Sequence, residues 1–261
     1  MLNLFDDIIL GLNKKLFWIN YGFNDIKKNY RRKFLGQFWI TINALLFILA
    51  IYFVFRYALA DSYDNYLIYL SIGYIIWLYM SGCINSSSTL FFQSRTFLLN
   101  KYWPLSTFVL RSWFRELLVF SHNIIIIPFI FLYYGMWPGL GSLLISITGL
   151  LLMLFTSFWV IILISITATR FPDLSEIISS LMRIFFFISP IMWVERSFNE
   201  FTNILLMVNP FAYFIKIIRD PLLGYPVPID AWVISLCIAI TVMFIALILL
   251  KFNQHKITYW L

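Results

Sequence analysis

The side chains that could do chemistry in this chain are few, and the clearest set forms one strip. Tyr74, Trp77, Ser81, Asn85 and Ser88 follow one another by three or four residues, which places them on one face of an α-helix. Aromatic rings stack on the faces of sugars, and hydroxyl and amide groups hydrogen-bond to sugar hydroxyls. The strip therefore suits a pathway for glycans, although serine and asparagine also join neighbouring membrane helices.

A second candidate set lies in the stretch RIFFFISPIMW, residues 183–193. A charge within a membrane span usually faces a cavity or a partner, although Arg183 is near enough to a membrane surface for its side chain to reach the headgroups. We take four residues of this stretch as further candidates for lining the pathway: Arg183, Phe186, Phe187 and Trp193.

The sequence contains no recognisable catalytic motif. It has no G-x-x-x-x-G-K-[ST] motif for ATP phosphates, and none of its glycines is followed by lysine. The acidic residues lie at the ends of apolar runs or between them, apart from Glu116, and no acidic pair has the spacing to hold a metal or act as a base. We therefore predict no catalytic residue, metal site or cofactor in this chain, and expect ATP and Mg²⁺ to be bound by a separate subunit.

The elements that must position these residues are membrane helices. Hydrophobic residues make up 62% of the 261 residues and charged residues only 12%, with a mean hydropathy of +0.87. A soluble domain has about a quarter of its residues charged. The sequence predicts an all-α integral membrane protein, a single transmembrane domain over residues 1–261, with Cys83 and Cys237 as packing residues inside apolar runs. Six spans are predicted, at residues 38–58, 66–90, 106–133, 139–167, 177–194 and 229–252.

The cationic residues predict the orientation. With six spans, most of the 19 Lys and Arg residues fall on one side, whereas Arg56, Arg196, Lys216 and Arg219 fall on the other. The positive-inside rule then places both termini in the cytoplasm, and no apolar run before residue 38 is suited to be a signal peptide. Orientation explains the net charge of +7 better than nucleic acid does, so no nucleic-acid partner is predicted.

Before the first span, residues 13–34 have apolar side chains at steps of three and four, which indicates an amphipathic helix in the membrane surface. Its cations would lie at headgroup level, where they could attract anionic lipid or a lipid-linked pyrophosphate. The residues predicted to make this contact are Lys27, Lys28, Arg31, Arg32 and Lys33.

Between the second and third spans, residues 94–102 have a short helical pattern that Pro104 ends. The segment is basic and aromatic, so it is suited to dock into a cleft on a soluble partner, unless it is only a solvated loop. The predicted contact residues are Arg95, Thr96, Phe97, Leu98, Lys101 and Tyr102, with Phe97 and Tyr102 as anchors.

The stretch NPFAYFIKIIRDPLLGYP, residues 209–226, is amphipathic and too short to cross a bilayer. Together with the residues before it, it predicts two short helices over 198–224, broken at Asn209-Pro210. They would form a re-entrant outer gate, or alternatively rest on the outer leaflet. The candidate gate residues are Asn209, Pro210, Tyr213, Lys216, Arg219 and Asp220.

Several stretches together resemble one family, the membrane subunits of ABC-type polysaccharide exporters, which move O-antigen, capsule or teichoic acid. The resemblance runs nearly end to end and is carried by DIKKNYRRKFLGQFWITIN at 25–43, FVLRSWFRELLVFSHN at 108–123, TRFPDLSEI at 169–177, FFFISPIMW at 185–193 and NPFAYFIKIIRDPLLG at 209–224. Two residues depart from the pattern. Gln37 stands where proline is common, and Arg183 stands where a neutral polar residue is expected.

The resemblance implies a transporter permease rather than an enzyme, located in a bacterial inner membrane. It implies six spans with an amphipathic interface helix, a homodimer around a central channel lined by aromatic residues, and short gate helices on the outer side. Two ATPase subunits would bind the coupling helix at 94–102, and the substrate would be a lipid-linked glycan, O-antigen in the first place.

Two other functions fit the residues. One is a membrane-embedded enzyme of glycan assembly, which would act without an ATPase. The other is an ABC permease for a small lipid or a drug, which would need no wide aromatic lining.

Overall fold

A computed structural model describes residues 4–59, 65–100, 103–193, 204 and 206–261. Within these ranges the regular structure is helical, with a 3₁₀ turn at Gly36–Phe38 before the first long helix. The α-helices are α1 (Leu4–Asn13), α2 (Lys15–Tyr30), α3 (Trp39–Leu59), α4 (Tyr66–Ser87), α5 (Leu90–Gln93), α6 (Arg95–Asn100), α7 (Leu105–Ile124), α8 (Ile126–Tyr134), α9 (Leu140–Arg170), α10 (Leu174–Ile188), α11 (Pro210–Leu222), α12 (Ile229–Asn253) and α13 (Ile257–Trp260).

Five stretches of the described chain are long and apolar enough to cross a membrane, and they match five of the six predicted spans. They are Gly36–Arg56, Tyr66–Ser87, Leu105–Tyr134, Leu140–Arg170 and Ile229–Asn253. The span predicted at 177–194 corresponds to α10, which has 15 residues. A helix of that length rises about 22 Å, less than the hydrocarbon thickness of about 30 Å. The count of six therefore stays a prediction.

Contacts between distant residues identify the two ends of the helix bundle. Asp7 in α1 contacts Leu105, the first residue of α7, and the guanidinium of Arg170, the last residue of α9, lies 5.2 Å from the ring centre of Trp260 in α13. We call this end the basic end. The first turn of α4 lies at the opposite end, where the Tyr66 hydroxyl donates to the carbonyl of Met192 just after α10. The segment from α10 to residue 193 therefore runs from the basic end to the opposite end.

The third predicted span is broken into α7 and α8. The break falls at Ile125, because Pro128 has no N–H to donate to the carbonyl of Ile124. The α8 helix then ends at Gly135, whose φ of +64° closes it in the left-handed conformation.

The short helix α11 lies directly on α9. Its Ile218 carbonyl accepts a hydrogen bond of 2.8 Å from the Ser146 hydroxyl, and a Cβ added at Gly149 would lie 2.9 Å from the Ile217 carbonyl oxygen. Small residues allow such backbone approach in membrane proteins. The predicted helix at 209–226 is thus present, whereas most of the first predicted gate helix lies outside the described residues.

The interface helix predicted at 13–34 consists of α2, with α1 before it. The Asp7 carboxylate accepts the backbone N–H groups of Leu105 and Ser106 at 3.0 and 3.1 Å, and the Ser106 hydroxyl donates to the Asp7 carbonyl. A side chain of α1 therefore caps the first turn of α7, whose N–H groups have no partner within the helix. Burial raises the pKa of Asp7 above its usual value of 3.8, while the bonds from Ser106 and Leu105 oppose that rise.

We expect Gly149→Ala to destabilise the protein by about 1–3 kcal/mol, because the added methyl group pushes α11 away from α9. The matched control is Gly141→Ala in the same helix, where an added Cβ meets open space. Thermal unfolding in detergent compares the two. Equal midpoints for both variants would contradict the close approach of α11.

We expect Asp7→Asn to change how stability depends on pH. Because the folded pKa of Asp7 is raised, its contribution to stability is full below the usual pKa and is lost as the pH rises through the folded pKa. An asparagine side chain does not titrate, so the variant lacks this pH-dependent contribution to stability. The midpoint of the wild type minus that of the variant should therefore fall as the pH rises above the usual pKa of 3.8, and a constant difference would be inconsistent with a buried carboxyl.

Candidate functional site

Three of the predicted pathway rings, those of Tyr74, Trp77 and Phe186, lie in a cluster formed by four helices. Tyr74 and Trp77 of α4 are buried, with Phe47 of α3 stacked on Tyr74 at 4.8 Å between ring centres. Phe211 of α11 lies 5.2 Å from Trp77, and Phe186 of α10 lies 5.9 Å from the same ring. We call these five residues the aromatic cluster. Sequence reasoning missed Phe47 and Phe211, because a phenylalanine that packs inward cannot be distinguished by its type from one that faces lipid.

The polar residues of the strip bond to their own helix. Asn85 donates to the Ser81 carbonyl at 2.9 Å, the Ser88 hydroxyl donates to the Asn85 carbonyl at 2.7 Å, and the Asn85 side chain is exposed. The contact with a neighbouring helix comes instead from the adjacent face of α4, where the Ser86 and Ser112 hydroxyls lie 3.2 Å apart. Within the strip, Asn85 is exposed and Ser81 is partly exposed, whereas Tyr74, Trp77 and Ser88 are buried.

Arg183 and Phe187 lie on an exposed face of α10. The Arg183 guanidinium donates to the Ser179 carbonyl and the Ser180 hydroxyl, both on its own helix, and 63% of Phe187 is exposed. The predicted pathway residue Trp193 donates its ring N–H to the Phe187 carbonyl. An exposed cation is poorly suited to contact lipid tails, so a crossing of the membrane by α10, as predicted, would require water or a partner on this face.

The one acid predicted inside a span, Glu116, accepts hydrogen bonds from Arg115 next to it. The other carboxylate oxygen of Glu116 lies close to Gly82 of α4. A Cβ added at Gly82 would lie 2.6 Å from that oxygen. Gly82 thus provides the space in which this ion pair packs between α4 and α7.

At the opposite end, the candidate gate residues have different roles. Asn209 caps α11 by accepting the N–H of Phe211 at 3.0 Å, and Pro210 is the first residue of the helix. The Tyr213 hydroxyl donates to the Met207 carbonyl. Tyr213, Lys216 and Asp220 are partly exposed, whereas Arg219 is buried.

Arg219 is the unexpected member of this set, because the amphipathic pattern gives no reason for a buried cation. Its guanidinium carbon lies 3.7 Å from the ring centre of Tyr69 and one N–H donates to the Pro190 carbonyl. Its Nε lies 3.6 Å from an Asp220 carboxylate oxygen, which is an ion-pair contact too long for a hydrogen bond.

At the basic end, α6 forms most of the predicted docking segment. Phe97 packs against Phe17 and Tyr21 of α2, at 5.6 and 5.7 Å between ring centres, and Leu98 is buried. The exposed side chains are Arg95, Thr96, Asn100 and, with 50% of its surface, Leu99. Phe97 is thus an internal contact to α2, and Leu99, which sequence reasoning missed, has the outward position. Lys101 and Tyr102 lie outside the described residues.

The interface helix α2 is also joined to α7 by an ion pair. Arg111 donates two hydrogen bonds to the Asp25 carboxylate, at 2.7 and 2.8 Å, in a bidentate pair. The predicted lipid-contacting cations Lys27, Lys28, Arg31, Arg32 and Lys33 are all exposed, and the side chain of Phe34 after them is fully exposed as well. Cations beside an exposed ring suit a membrane surface.

Comparison with known proteins gives consistent matches. Residues 21–223 match the model of the ABC-2 type transporter family. An O-antigen export system permease protein RfbA of Klebsiella pneumoniae is 29% identical over 222 residues, which cover 83% of this chain and 80% of the relative. A protein of the same name from Myxococcus xanthus is 23% identical over 188 residues, covering 71% of this chain and 72% of the relative.

The family match spans well over half of the chain and includes α4, the aromatic cluster, α10 and α11. The resemblance found in the sequence is therefore confirmed. The chain is a multi-pass membrane protein, and it belongs to the ABC-2 type transporter family.

Proposed function

We propose that this chain is the membrane subunit of an ATP-driven exporter that moves a lipid-linked polysaccharide of the O-antigen type. The names of the relatives support the substrate class. The observation that carries the proposal is the exposed face of α10. There the exposed guanidinium of Arg183 lies beside Ser179 and Ser180, with the exposed Phe187 ring one turn further along, an arrangement suited to a polar pathway rather than to lipid.

Two copies of the chain enclose this pathway. The exposed face of α10 and the exposed face of α3 are covered by the second copy, which leaves Arg183, Phe187 and the outer edge of Phe47 along the space between them. The apolar residues of these faces could equally contact lipid, so the exposed Arg183 is the residue that supports a second copy there. The remaining exposed apolar residues of the two helices are Leu45, Leu46, Phe53, Val54, Ile177, Leu181 and Ile184.

The chain crosses the membrane six times, and α10 with residues 189–193 makes the fifth crossing. This count is supported by the contacts of Met192 with α4 at the opposite end and by the start of α10 three residues after α9 at the basic end. The basic end faces the cytoplasm of a bacterium, by the positive-inside rule, and both termini lie there. The helix α11 then belongs to the outer side, as a re-entrant gate.

Energy comes from two ATPase subunits that dock on α6. Leu99, with Arg95 and Thr96 beside it, is the exposed surface for this contact. Movement of α6 passes through Phe97 to α2, and from α2 to α7 through the ion pair of Asp25 and Arg111. Contacts of this kind let a rigid element transmit a displacement between sites.

The exposed cations of residues 27–33 lie where the substrate arrives. A pyrophosphate that joins a glycan to its lipid carries several negative charges, which cations at headgroup level attract together with ordinary anionic lipid. The same cations also help to set the orientation of the chain in the membrane, and this role does not depend on the substrate.

Complementation tests the proposed function. Cells that lack this chain should accumulate a lipid-linked saccharide inside and lose it from the surface. The wild-type chain with its ATPase should restore the surface glycan, whereas the chain with an ATPase that cannot hydrolyse ATP should not. Saccharide assembly by the purified chain without any ATPase would favour the enzyme alternative, and unchanged surface glycan would contradict the proposal.

We expect Arg183→Met to lower the export rate about tenfold or more, because the pathway loses the cation that meets anionic groups of the substrate. Arg183→Lys should keep part of the rate. The control is Lys256→Met, which removes an exposed cation close to the end of the chain. Surface glycan per amount of permease is the measurement, and wild-type export by Arg183→Met would exclude a role for this residue.

A further inference from the structure

Residues 189–193, directly after α10, are held by side chains from two other helices. The Tyr66 hydroxyl donates to the Met192 carbonyl at 2.6 Å, and the Tyr69 hydroxyl lies 3.1 Å from the Trp193 carbonyl oxygen. Arg219 donates to the Pro190 carbonyl. The carbonyl groups of Pro190, Met192 and Trp193 in this non-helical segment are thus bonded by donors from α4 and α11, as backbone groups must be where water is scarce.

Arg219 connects the two helices that provide these donors. Only 1% of its surface is exposed, and its guanidinium is stacked over the Tyr69 ring. Gly73, one turn further along α4, leaves space for it, since a Cβ there would lie 3.3 Å from an Arg219 nitrogen. The cation is therefore built into the contact between α4, α11 and residues 189–193.

A fourth side chain completes the contact from the start of α11. Asn209, which caps that helix with its carbonyl oxygen, donates its amide N–H to the Ser189 hydroxyl at 2.9 Å. Both Asn209 and Ser189 are buried. We call Tyr66, Tyr69, Asn209 and Arg219 together the clamp.

Beyond the clamp, α10 is attached by few buried residues. Among its described residues Met182 is the one that is buried, and Phe185 and Phe186 are only partly buried, against Phe211 and Trp77. The helix α11, in contrast, is fixed to α9 through Ser146 and Gly149. A displacement of α10 would therefore separate residues 189–193 from α4 and α11 and would leave those two helices in place. Few buried apolar contacts are the physical basis of such local mobility.

The geometry points to the clamp as the latch of the opposite end of the bundle. In the arrangement described here, Tyr69 and Arg219 act as positioning residues that hold residues 189–193, and with them α10, against α4. Opening of the outer side requires these hydrogen bonds to be released, so that α10 can move. This inference rests on the proposed export function, which gives the opening its purpose.

Thiol labelling tests whether the clamp holds the segment. Ile191 is fully buried, with 0% of its surface exposed, so the thiol introduced by Ile191→Cys into a chain with Cys83→Ala and Cys237→Ala should react slowly with a membrane-impermeant maleimide. Adding Arg219→Met should raise the labelling rate about tenfold or more, the factor for the loss of one charge-assisted hydrogen bond. Arg219→Lys, which keeps the charge and a donor, should give an intermediate rate.

Tyr69→Phe provides a second variant that keeps the ring and removes only the hydroxyl, and it too should raise the rate. The matched control is Tyr133→Phe, which removes an exposed hydroxyl at the same end of the bundle. Equal labelling rates in all of these chains would overturn the clamp. Labelling needs neither glycan nor ATPase, so its result is independent of the proposed function.

A disulfide tests whether release of the clamp is required for export. A Cβ at position 73 lies 3.6 Å from the Ile191 Cα, so the pair Gly73→Cys and Ile191→Cys in the same background is close enough to be oxidised. Oxidation should abolish export by the pair and reduction should restore it, while the export rate of each single variant should be the same in oxidising and reducing conditions. Export by the oxidised pair at the reduced rate would overturn the latch and leave the proposed function standing, whereas a wild-type chain that fails to restore export would overturn the proposed function alone.

Discussion

The structure depends on one constraint: a chain among hydrocarbon must satisfy its own polar groups, because lipid tails offer no hydrogen bonds. Long helices meet it through their backbone, and the serine and asparagine side chains of α4 meet it by bonding to carbonyls of the same helix. After Ser189, whose N–H still bonds to the Phe185 carbonyl, the segment 189–193 is no longer helical. The carbonyl groups of Pro190, Met192 and Trp193 are bonded by two tyrosines and an arginine from other helices, which explains why Arg219 is buried.

The same constraint explains the small residues beside α11. A half-length helix inside a membrane protein needs close neighbours, and close neighbours need small side chains at the contact. Ser146 and Gly149 let the α11 backbone approach α9, while Gly73 makes room for the guanidinium on the side of α4. Two glycines and a serine on two long helices therefore determine where the short helix lies, and with it where Asn209 and Arg219 point.

Periodicity and hydropathy predicted the five long stretches to within a few residues, because length and apolar composition are local properties of the sequence. They also predicted which face of α11 is apolar. They failed to place Arg219 and Phe97, since a cation and an aromatic ring read as surface residues until the partners Tyr69 and Phe17 are known. Asp7 was missed for the same reason, because its partners lie almost a hundred residues further along the chain. The docking, gate and pathway roles stay predictions.

The contact between Asp7 and the first turn of α7 makes residues 4–13 part of the helix bundle. A chain shortened to begin at the amphipathic helix would keep the surface-binding segment and all the long helices. It would nevertheless leave the amides of Leu105 and Ser106 without acceptors, at the point where α7 follows the docking segment. The first helix thus stabilises the start of α7. Its removal would destabilise the helix bundle at a place that is distant in the sequence from the removed residues.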